Sequence, residues 1–136
     1  MKQAVSQLLT MLGREFKFFV TKFSVPSQTH LVHSSSWDHL IILDACRYDV
    51  FKQEVSDYLD GNLMKVLSPG SETSEWLKSV WENFYDLTYF SANPVVNSKI
   101  AIQGFKARSH FKEIIDIWDW GWSEELGTVP PWNVNE

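Results

Sequence analysis

Apolar positions recur at steps of three and four through the N-terminal stretch. Val5, Leu8, Leu9, Leu12, Phe16, Phe19, Val20 and Phe23 make one stripe, which predicts an amphipathic helix over 1–23 that stops before Pro26. Residues 24–38 are polar and read as a connector. Then the pattern changes: His39-Leu40-Ile41-Ile42-Leu43 is almost continuously apolar and ends in Asp44, as a strand buried on both faces does. Val50, Phe51, Val55, Tyr58 and Leu59 return to helical spacing over 47–59, and Asp60-Gly61-Asn62 follows as a stop. A second strand is predicted at 63–67, a helix at 74–84 with Trp76, Leu77, Val80, Trp81 and Phe84 inward, and a third strand at 86–90. Strand, helix, strand, helix, strand at these lengths predicts an α/β fold, a parallel β-sheet flanked by helices. A further helix is expected near 109–116. Trp118, Trp120 and Trp122 fall on one side of the chain if that segment is extended, which suits packing on the sheet. The competing role for these rings is a platform for stacking carbohydrate.

Composition narrows the functional classes. The 136 residues are 44% hydrophobic and 15% aromatic, with seven Trp, enough apolar surface for an ordered core and about one domain's length. Twelve Lys and Arg against seventeen Asp and Glu leave a net charge of −5, whereas a nucleic-acid partner calls for a basic face. The excess is carried by residues 69–136. One cysteine, Cys46, allows no internal disulfide and no Cys-rich zinc framework. His30, His33, His39 and His110 show no metal-ligand spacing. Lys2, Arg14, Glu15, Lys17 and Lys22 interrupt the N-terminal stripe, so it predicts neither a membrane span nor a signal peptide. A cytoplasmic protein is expected, with weak membrane-surface contact of helix 1–23 as the alternative to its packing on the domain or a partner.

In an open parallel sheet, ligands sit at the carboxyl ends of the strands. Asp44, Ser71-Glu72-Thr73 and Ser91-Ala92-Asn93 fall there. Asp44 suits a metal ligand, because a carboxylate leaving a buried strand needs a cation or hydrogen bonds, or it caps the helix that follows. Ser71 or Thr73 at a helix N-terminus suits a nucleophile, since the free N–H groups there favour negative charge. Both are also preferred capping residues. Arg47 suits a substrate anion or plain helix packing.

Four segments together carry a resemblance: DHLIILDACRYDVF (38–51), SPGSETSEWL (68–77), YFSANPVVN (89–97) and HFKEIIDIWDWGWSEELGTVPP (110–131). Over residues 37–134 they resemble the N-terminal part of archaeal-type sulfatase-like hydrolases of the alkaline phosphatase superfamily. The division expected from this is 1–36, helix and connector, and 37–136, the N-terminal half of the hydrolase domain. The resemblance implies a metal-dependent hydrolase of sulfate or phosphate esters. Asp44 stands at its metal position for Mg, Mn, Zn or Ca, and Thr73, or Ser71 two residues earlier, at its nucleophile. The Cys-x-Pro-Ser-Arg pattern that sulfatases convert to formylglycine is absent, which implies a direct hydroxyl nucleophile. The family completes its metal sites with an Asp-His pair and another His. Here the single Asp-His dipeptide, Asp38-His39, precedes the first predicted strand, and His110 is the one His after Thr73. The competing expectation is a non-catalytic binding or structural module that keeps part of the fold. Its open sheet edge would be covered by the N-terminal helix, a second copy or another chain.

Overall fold

The computed structural model describes residues 25–135. The chain divides into two compact units between Ser68 and Pro69. The expected amphipathic helix 1–23 lies outside the described residues. No described helix is long and apolar enough to cross a membrane.

In the first unit, helix α1 spans Gln28–Ser34 and helix α2 Tyr48–Glu54, the latter tightening into a 3₁₀ turn at Val55–Asp57. α1 corrects the reading of 24–38 as connector: Ser27 stands at its N-cap in extended conformation, and the Trp37 indole N–H donates to the Val32 carbonyl at 2.9 Å beyond its end. A single parallel bridge joins Ser27 to Leu67, with Gln28 N–H to Leu67 O at 3.0 Å and Leu67 N–H to Pro26 O at 2.9 Å.

The strands expected at 39–44 and 63–67 do not form. Leu40, Ile41, Ile42 and Leu43 are all exposed, Ile41 at 82%, as are Leu63 and Met64. An extended segment becomes a strand only where a neighbour takes its backbone hydrogen bonds. Among the described residues of this unit, the ladder consists of the Ser27–Leu67 bridge alone. The face expected to bury α2 is likewise open at Val50, Tyr58 and Leu59.

The second unit is better packed. Helix α3, Thr73–Val80, keeps the expected spacing, with Leu77 and Val80 fully buried. It ends earlier than its stripe, because Trp81 has left helical conformation at ψ 66°. Trp81 is buried and Phe84 exposed.

Strand β1, Tyr85–Ser91, matches the expected third strand and pairs in parallel with β2, Phe111–Asp116. β2 replaces the helix expected near 109–116. In HFKEIID the apolar residues are compatible with either period. Pairing with β1, which sets Tyr89 beside Ile114, Phe90 beside Ile115 and Ser91 beside Asp116, favours the extended form for Ile114 and Ile115, whose branched side chains suit a pleated surface. The crossover 92–110 has the length a parallel connection needs, with a 3₁₀ turn at Ala107–Ser109.

β1 alternates between half-buried Tyr85, Leu87 and Tyr89 and exposed Asp86, Thr88 and Phe90, so one face of the sheet is covered and the other open. On the covered side Trp81 meets Tyr85 and Phe111 edge-on, with ring centroids 5.0 and 5.4 Å apart. Phe105 packs beside Phe111 on the same side, and Val96, Ala107, Ile117 and Val129 are further buried apolar side chains of this unit. The architecture is thus mixed α/β with a two-stranded parallel sheet.

The Trp-rich tail is not extended. Ile117–Gly121 is helix α4 and Pro131–Val134 helix α5, tied by the Asn133 amide donating to Gly121 O at 2.9 Å. Successive helical residues turn by about 100°, so Trp118 and Trp120 point in different directions. Trp120 is 57% exposed, and Trp122 and Trp132 are exposed too, while Trp118 is half-buried, so the rings do not form the single packed face expected of an extended segment.

Candidate functional site

Asp44 lies in an exposed turn rather than at a strand end. Cys46 N–H reaches back to Leu43 O at 3.4 Å, and Ala45 between them has φ 54°, a left-handed conformation that costs an alanine about 1 kcal/mol. Asp44 makes at least one polar interaction of its own.

Arg47 stands at the N-cap of α2, where its guanidinium grips Asp49 with two hydrogen bonds, Nε to Oδ1 at 3.0 Å and Nη2 to Oδ2 at 2.7 Å. These bonds raise the Arg47 pKa and lower that of Asp49. The pair is exposed, and the fork that an anion would use faces a carboxylate of the same chain.

In the second unit, Gly70 approaches the first turn of α3 so closely that a β-carbon there would fall 2.5 Å from the Trp76 nitrogen and 2.8 Å from the Glu75 Cβ. Only glycine fits without a shift. The tight approach brings Ser71 to Glu75: both the Ser71 amide and its hydroxyl donate to Glu75 Oε2 at 3.0 Å. These two bonds, backbone first, hold the Glu75 carboxyl below its ordinary pKa, so it is a weaker base than a free carboxylate.

Glu72 is the extended N-cap residue and Thr73 the first helical one. Thr73 is half-buried, and among the described residues its hydroxyl takes no hydrogen bond. It stands beside the unpaired N–H groups of an eight-residue helix, where partial positive charge collects. Asp44 and Arg47 thus belong to the first unit and Ser71 and Thr73 to the second.

A polar cluster at the carboxyl ends of β1 and β2 was only partly legible. Ser91 was expected there and is fully buried, its hydroxyl donating to Asn93 O at 2.8 Å. Its register partner Asp116 was not, because 109–116 reads as a helix. The Asp116 carboxylate accepts the Ser98 amide at 3.0 and 3.2 Å and the Ser98 hydroxyl at 2.7 Å. Buried Asn97 accepts the Lys99 and Ile100 amides at 2.9 and 2.8 Å. Lys99 bonds Asp119 at 2.6 Å and lies over the Trp118 ring. These contacts shape the crossover loop.

A divalent ion needs several oxygen or nitrogen ligands. Among the described residues no group of three or more His, Cys, Asp and Glu side chains is placed to share one. Asp44 alone does not make a metal site. Comparison with protein-family models, curated proteins and solved structures gives no match.

Proposed function

We propose that this chain carries the nucleophile-bearing part of a hydrolase of phosphate or sulfate esters, with the Thr73 hydroxyl as the attacking group. One observation carries the choice of residue: the Ser71 hydroxyl is engaged by Glu75, while that of Thr73 takes no hydrogen bond among the described residues and opens helix α3. The resemblance of SPGSETSEWL to the nucleophile segment of sulfatase-like hydrolases supports the same residue.

In this reaction the Thr73 oxygen bonds to the phosphorus or sulfur, the ester oxygen leaves with its electron pair, and the hydroxyl proton passes to solvent. The α3 amides offset the negative charge on the transferring group. Water then cleaves the Thr73 ester and restores the hydroxyl. The resemblance assigns Asp44 to a Mg, Mn, Zn or Ca site, but it supplies one carboxylate, fewer than such an ion requires. Arg47 binds a substrate anion only in exchange for Asp49.

Hydrolysis of nitrophenyl phosphate and nitrophenyl sulfate, with and without each of these four ions, tests this reading. Turnover that Thr73→Ala abolishes and Ser71→Ala retains supports it. Wild-type protein inert in every condition, or activity that survives Thr73→Ala, overturns it.

A second reading, a non-catalytic binding or structural module, is favoured by the exposed run Leu40–Leu43 with Leu63 and Met64. Monomeric proteins rarely leave large contiguous apolar patches in water. A second copy or another chain would cover these side chains, and light scattering showing a monomer at all concentrations weighs against a homo-oligomer.

A further inference from the structure

We draw no further inference here: the strongest candidate, the groove of about 380 Å³ on the open face of the β1–β2 sheet where Phe90, Ile115, Trp120 and Val134 are joined by Thr88 and Glu113, is an unpartnered, largely apolar surface for which nothing in the structure shows what covers it.

Discussion

Replacing Gly70 with alanine tests whether the loop before α3 is held as tightly as the geometry requires. The added β-carbon meets the Trp76 nitrogen at 2.5 Å, and ordinary contact begins at 3.4 Å, so loop and helix must part by about 0.9 Å. The obstacle is backbone and cannot rotate away as a flexible side chain would. A displacement of that size also takes the 3.0 Å bonds from Ser71 to Glu75 out of hydrogen-bond range. Overpacking of this kind costs about 1–3 kcal/mol. With a urea dependence of about 1–3 kcal/mol per molar, the unfolding midpoint should fall by roughly 1 M. Six of the seven tryptophans lie beyond Ser68, so fluorescence reports mainly on this unit, and circular dichroism follows the helix. Gly61 is the control, because a β-carbon there meets nothing within 4 Å. Gly61→Ala should leave stability unchanged or raise it by about 0.4–1 kcal/mol through the unfolded chain. If Gly70→Ala behaves like Gly61→Ala, the close approach is not a constraint and the account of how Ser71 is held beside Glu75 is refuted.

Leu77→Ala, at a fully buried position of α3, should cost about 2–5 kcal/mol, whereas Trp120→Ala, at a largely exposed one, should leave the melting temperature nearly unchanged; thermal unfolding followed by circular dichroism compares the two. Asp116→Ala should cost about 1–3 kcal/mol, because it strands the part-buried Ser98 amide and hydroxyl, and faster amide exchange over 97–100 would locate the damage. Glu75 has a folded pKa below its unfolded value, so its stabilising contribution is present above the ordinary carboxylate range and is lost as pH falls through the lower folded value. Glu75→Gln should flatten that acid limb of a stability-against-pH profile, and a profile identical to wild type would contradict the role given to the Ser71 bonds.

Local pattern alone was sufficient for two elements of the second unit, as it was for the helical conformation of α2 within 47–59. In α3, the 3.6-residue spacing of Leu77 and Val80, and a start rich in Ser, Glu and Thr, agree with the burial the fold imposes. In β1, alternation along Asp86–Phe90 matches a strand with one face covered. The candidate hydroxyls were legible too, since both stand at the start of a helix that the spacing predicts. The choice between them was not, because it depends on which one Glu75 reaches, and that follows from the approach of Gly70 to the helix.

Elsewhere tertiary structure decided. HFKEIID suits a helix or a strand when read alone. As β2 it is strand because β1 offers a partner for its backbone, and that pairing brings Asp116 opposite Ser91. The run Leu40–Leu43 shows the converse. Continuous hydrophobicity states a demand for burial, but a strand also needs neighbouring backbone to take its hydrogen bonds, and the described residues of its unit offer little beyond the Ser27–Leu67 bridge. Trp118 and Trp120 took a third course. Their alternation with polar residues fits an extended chain, yet the segment turns helical directly after β2, and a 100° step per residue replaces the 180° that would have aligned their rings. Periodicity records what each side chain prefers to bury, and the backbone partners that sit far away along the chain determine whether that preference is met.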